Sequence, residues 1–148
     1  MKWIAAIAFG NNLFILKGFL YALILTYASF SDIKTKTIPD KVHILIILVE
    51  LINMNPVNSI TGLFFVPIPF LITALFKQGG IGGGDVKFMA ANGFFLGVKG
   101  GFIGSFIGLI IAIIVNAIYY KIKSKDKNTS FPLAPYLSVG CFFTYLFF

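Results

Sequence analysis

Long apolar runs, broken only by short polar segments, constrain this chain more than any other feature. They cover about residues 13–30, 42–54, 60–76, 88–98, 101–120 and 131–148. A run of about 20 apolar residues is what a helix needs to cross a bilayer. Charged residues make up 11% of the 148-residue chain, against the quarter or so that a soluble surface carries. Lipid must therefore be the solvent, and the pattern predicts an all-α integral membrane protein of six transmembrane helices in a single domain, residues 1–148.

The segments between the runs set the expected topology. The net charge of +7 comes from twelve lysines with no arginine. Lys34, Lys36, Lys41, Lys77, Lys87, Lys121, Lys123, Lys125 and Lys127 fall in the loops after runs one, three and five, and Lys2, Lys17 and Lys99 on the other side. Positive loops stay in the cytoplasm, so both termini are expected on the non-cytoplasmic side of a multi-pass plasma-membrane protein. Lys17, near the start of run one, is expected to snorkel outward. No clustered basic face or recognition module suggests nucleic acid as a partner. Met1-Lys2-Trp3-Ile4 resembles a signal-peptide start, but Asn11 and Asn12 interrupt the run and no clean cleavage site follows, so it is read as a lead-in to the first span. Cys141, the single cysteine, excludes an internal disulfide or a cysteine zinc cluster and is expected to pack against lipid or helix.

Local signals refine the runs. Pro39 disfavours helix at Ile38, and Asp40 is a good N-cap for the second run. Asn53, Asn55, Pro56, Asn58 and Ser59 read as a turn. Pro67 and Pro69 predict a kink in run three, where neighbours must satisfy the freed carbonyls. Gly101, Gly104 and Gly108 permit close helix approach.

The chain has five acids. Asp126 sits among lysines and needs no function. Asp40 reads as a cap or turn residue, and Glu50 as an acid near the outer interface. Asp32 and Asp85 stand apart. Two runs separate them, so they return to the same, cytoplasmic boundary, one closing run one and the other opening run four. Two carboxylates meeting at low dielectric cannot both ionise cheaply, so one keeps its proton. The ionised partner can take a proton from water while the protonated one polarises an amide carbonyl. On spacing alone, interface anchors or lysine partners remain the commoner use of such acids. Gly82, Gly83 and Gly84 before Asp85 permit φ > 0 and close backbone approach, either as a flexible turn or as a wall along which a substrate strand lies. Lys87 is placed to stabilise the Asp85 charge. No Lys-Ser/Thr pair follows the glycines, which argues against a phosphate loop.

The segment Asp32-Ile33-Lys34-Thr35-Lys36-Thr37-Ile38-Pro39-Asp40 resembles the first-aspartate motif of the type IV prepilin peptidases. Gly82-Gly83-Gly84-Asp85-Val86-Lys87 resembles their GxGD motif, and Phe131-Pro132-Leu133-Ala134-Pro135 looks like the opening of their last helix. The resemblance covers nearly the whole chain in order. It implies an intramembrane aspartyl endopeptidase with Asp32 and Asp85 as the catalytic pair, Gly82, Gly83, Gly84 and Lys87 at the substrate, and no metal or cofactor. The implied substrate is the short basic leader of a prepilin-like or pseudopilin protein, in type IV pilus or protein-secretion assembly. Larger members carry an extension with four zinc-binding cysteines and also N-methylate. This chain lacks those cysteines and is expected to be the minimal, peptidase-only form. The rival expectations are a small proton- or cation-coupled transporter using the two aspartates, a non-catalytic subunit of a pilus or secretion assembly, and a GxGD protease with another substrate.

Overall fold

The computed structural model describes residues 12–76, 81–123 and 131–148. Expectations about the Met1–Ile4 lead-in, Lys77, Lys125, Asp126 and Lys127 lie outside them. The regular structure among the described residues is helical throughout: α1 (Asn12–Thr35), α2 (Asp40–Glu50), α3 (Pro56–Phe65), α4 (Ile68–Phe76), α5 (Gly83–Lys123) and α6 (Ala134–Phe147). Among the described residues, three segments are long and apolar enough to cross a membrane: Asn12–Thr35, Pro56–Phe76 and Gly83–Tyr119.

The helices are apolar on the outside as well as the inside. α1 buries Gly18, Tyr21, Leu25, Ala28 and Asp32, a three-and-four spacing that makes one stripe. Leu16, Phe19, Leu23, Tyr27 and Phe30 on its other faces are exposed. Such a surface has no stable place in water, and it fits a hydrocarbon surround.

Several local expectations change on contact with the structure. α2 ends at Glu50 rather than Met54, so it has 11 residues and a length of roughly 16 Å, about half a bilayer core. Its N-cap is Pro39, and Asp40 is the first helical residue. Asn58 and Ser59 belong to α3, not to a turn, because Asn55 caps that helix with its side chain and Pro56 occupies the first turn, where proline loses no hydrogen bond. The break between α3 and α4 falls at Val66-Pro67, where the prolines place it.

Runs four and five form one continuous assignment, α5, but its backbone leaves helical geometry at Gly97, with φ 72° and ψ −178°. A side chain at Gly101 would lie 3.3 Å from the Gly93 Cα. Eight residues along one straight helix would separate the two by about 12 Å, so the chain doubles back at Gly97. That reversal needs a positive φ, which glycine adopts without strain. The limb after Gly97 then packs antiparallel on α6: a Cβ at Gly104 would stand 2.9 Å from the Cys141 Cα, and one at Gly108 2.7 Å from the Leu137 Cα. Cys141 is fully buried in this seam.

The expectation that Lys17 points outward fails. Its ammonium turns into the bundle and pairs with the Glu50 carboxylate at 2.6 Å. The Ser59 hydroxyl donates to Glu50 at 3.1 Å, and the Lys17 ammonium lies 5.1 Å from the centre of the Phe95 ring. Both side chains are nearly excluded from solvent. Glu50 thus has a structural partner, and the pair sits at the end of the bundle away from Asp32 and Asp85, where α2 stops short.

Removing one member of a buried ion pair costs about 3–5 kcal/mol, because the other charge stays buried and unpaired. Lys17→Met is therefore expected to lower the unfolding free energy in detergent micelles by about that amount, while Lys17→Met with Glu50→Leu recovers most of it. Equal stability of Lys17→Met and wild type would contradict the buried pairing.

Candidate active site

Asp32 lies in the last turn of α1 and Asp85 in the first turn of α5. The structure brings the two together: their side chains line one cavity of about 310 Å³, with Lys36, Thr37, Ile38, Asp40, Gly82–Gly84 and Lys87 around it. The Asp32 charge reaches the Asp85 carboxyl.

Local folding explains how each acid is held. Lys36 closes α1 in the left-handed region, φ 54°, with its N–H donating to the Asp32 carbonyl at 2.9 Å. This is the αL helix stop, made by a lysine instead of the usual glycine. The Thr35 hydroxyl meets that of Thr37 at 2.9 Å, and the Ser31 hydroxyl donates to the Thr37 carbonyl at 3.2 Å, so the link into α2 is tied to the helix it leaves. The Asp32 side chain is buried. Its Oδ2 accepts the Ala134 N–H at 2.9 Å, one of the free donors at the start of α6, where the helix dipole is positive. The Asp85 Oδ2 accepts the Gly82 N–H at 3.3 Å, reaching back to the residue before its own helix as one half of a capping box does.

Two expectations about the glycine loop are corrected. Gly82, Gly83 and Gly84 do not use φ > 0. Among the described glycines only Gly97 does. The protein's own backbone does not pack tightly on them: a Cβ at Gly83 meets nothing within 4 Å, and one at Gly84 comes no nearer than 3.7 Å to the Ile38 nitrogen. Instead they leave open the wall of the cavity beside Asp85. Lys87 does not pair with Asp85. Two residues apart on one helix, they face different ways, and the Lys87 ammonium bonds Asp40 Oδ1 at 3.0 Å. That hydrogen bond and charge hold the Asp40 carboxyl below the usual carboxylate range. Beneath it, His43 is buried, with Nε2 4.0 Å from Asp40 Oδ1 and no hydrogen-bond partner on either ring nitrogen.

The Ala134 amide is the group that sequence reasoning missed. Pro135 at the start of α6 marks a helix N-terminus, yet nothing local says which side chain, 102 residues away, meets it. His43 gave no pattern at all. Chemically, the arrangement offers two acids, both anchored by backbone N–H groups at helix starts, facing a cavity open to one end of the bundle.

The chain is similar to known proteins. A family model described as the type IV leader peptidase family matches residues 19–119, a stretch that contains both aspartates. The prepilin leader peptidase/N-methyltransferase of Bacillus subtilis (strain 168) is 29% identical over 149 residues, which cover 97% of this chain and 60% of that protein. The chain thus spans about three-fifths of the length of this curated relative. No solved structure matches it.

The open wall gives a stability test. Alanine in place of a helical glycine with free space adds about 0.4–1 kcal/mol, whereas forcing atoms into a tight helix contact removes about 1–3 kcal/mol. Gly83→Ala is expected to raise or keep the thermal midpoint in detergent, and Gly108→Ala to lower it. The reverse order would mean that the glycine wall is packed against protein.

Proposed function

The chain belongs to the type IV leader peptidase family, and from that premise we propose that it is a membrane-embedded aspartyl endopeptidase with Asp32 and Asp85 as its catalytic pair. The observation that carries the reading is that both carboxylates line one cavity although 53 residues separate them in sequence. The substrate is a prepilin-like or pseudopilin protein cut at its short basic leader. The lysine asymmetry supports both termini outside and the cavity at the cytoplasmic face, where such a leader would lie. Type IV pilus or protein-secretion assembly is the setting that fits this substrate.

The chemistry follows from the pair. The ionised carboxylate takes a proton from a water molecule in the cavity as the water oxygen bonds to the scissile carbonyl carbon. The protonated carboxyl donates to the carbonyl oxygen and so stabilises the charge that develops there. Collapse of the tetrahedral intermediate breaks the C–N bond, and the proton taken from water passes to the leaving nitrogen. The Ala134 and Gly82 N–H groups fix the two side chains without occupying all their oxygens. A substrate strand lies on the wall formed by Gly82, Gly83 and Gly84, where the lack of side chains lets its backbone reach Asp85. Placement matters here, since an error of about 1 Å can cost roughly 100-fold in rate.

Asp32→Asn and Asp85→Asn are each expected to reduce cleavage of a prepilin-like substrate by at least about a thousandfold, with insertion and helix content kept. The double variant should be little worse than either single one, because the two act as a unit. The wild-type rate should pass through a maximum with pH, falling on the acid side when both carboxyls are protonated and on the alkaline side when neither is. Near-normal cleavage by either purified single variant would falsify the assignment.

A further inference from the structure

The cavity holds a third carboxylate that the two-acid chemistry leaves without a task. Asp40 stands at the first turn of α2 and lines the same space as Asp32 and Asp85. Its side chain is 74% exposed, and that of its partner Lys87 is 63% exposed. Only Oδ1 of Asp40 engages Lys87, at 3.0 Å. An ion pair this open contributes little to stability and is easily exchanged. Lys87 is a poor ligand for a basic leader, since two cations would have to meet. The carboxylate behind it suits one well.

We propose that Asp40 receives a cationic side chain of the substrate's leader, and that Lys87 occupies this carboxylate only in the resting enzyme. The inference rests on the leader-peptidase reading above and adds a specificity residue to it. A leader lysine or arginine entering the cavity replaces one ammonium or guanidinium partner for another, so the carboxylate is never left unpaired. Lys87, freed, turns to water along the side it already exposes. A neutral or acidic leader has nothing to exchange and leaves the Asp40–Lys87 pair closed across the cavity. Discrimination of this kind comes from complementary charge at a rim, where it shifts partner choice more than the chemical step.

The test is a charge cycle between enzyme and substrate. One prepilin-like protein is prepared with lysines in its leader, and a second with those lysines changed to glutamine. Each is cleaved by detergent-purified wild type, Asp40→Asn, Asp40→Glu and Lys87→Gln. Asp40→Asn is expected to raise KM about fivefold for the lysine leader, as loss of one exposed ion pair allows, with kcat unchanged and little effect on the glutamine leader. Asp40→Glu should restore the preference, and Lys87→Gln should leave KM for the lysine leader equal or lower. If Asp40→Asn affects both leaders equally, or if Lys87→Gln mimics it, Asp40 is only a clamp on α5 and the inference fails while the peptidase reading stands. If wild type cleaves neither leader, the reading fails and takes the inference with it.

Discussion

Helices surrounded by lipid gain little from hiding apolar surface from one another, since the acyl chains are as apolar as the side chains. What holds them is close packing and a small number of polar links. Both are visible here. Gly93 and Gly62 bring α3 and α5 into backbone contact, and Gly104, Gly108 and Gly140 do the same for α5 and α6. The polar links are few and each joins distant segments: Tyr21 donates to Asn92, Lys17 pairs with Glu50, and Asp32 accepts from Ala134. The site depends on the last of these. It joins the end of α1 to the start of α6 beside Asp85, while the Tyr145 hydroxyl, donating to the Phe14 carbonyl at 2.8 Å, ties the opposite ends of the same two helices.

The parts of the fold that follow from local rules were legible in the sequence. Apolar runs gave the helices, Pro67 gave the break in the third, and the small residues at 101, 104 and 108 marked a tight seam. Asp32 and Asp85 were readable as a pair because two apolar runs separate them and each sits at the border of a run. The failures have a common cause. Lys17 and Glu50, Lys87 and Asp40, Asp32 and Ala134 are all partnerships between residues far apart in sequence, and no periodicity encodes which charge will find which. Lys17 looked like a side chain bound for the interface because snorkelling is the local option. A buried carboxylate on α2 offered a better one.

The glycine loop lines the cavity without the backbone angles that its sequence suggests. Three glycines before an aspartate suggest unusual backbone angles, yet the glycine with a positive φ among the described residues is Gly97, at the boundary between runs four and five. Gly83 and Gly84 adopt ordinary helical geometry. Their distinction is steric, an absence of atoms facing the cavity, and only the tertiary arrangement discloses it.

The Asp32–Ala134 bond also sets an order of events. It closes a loop of 102 residues, whereas the reversal at Gly97 joins neighbours. Contacts of short sequence separation form early, and those that close long loops form late. A chain made from its N-terminus emits Asp32 long before Ala134 exists, and domains assemble in that direction during synthesis. Until Ala134 is made, the acid at the end of α1 therefore lacks the amide that positions it. The cavity gains this contact only when α6 docks, so a copy stopped before Ala134 holds both aspartates without the amide that fixes Asp32.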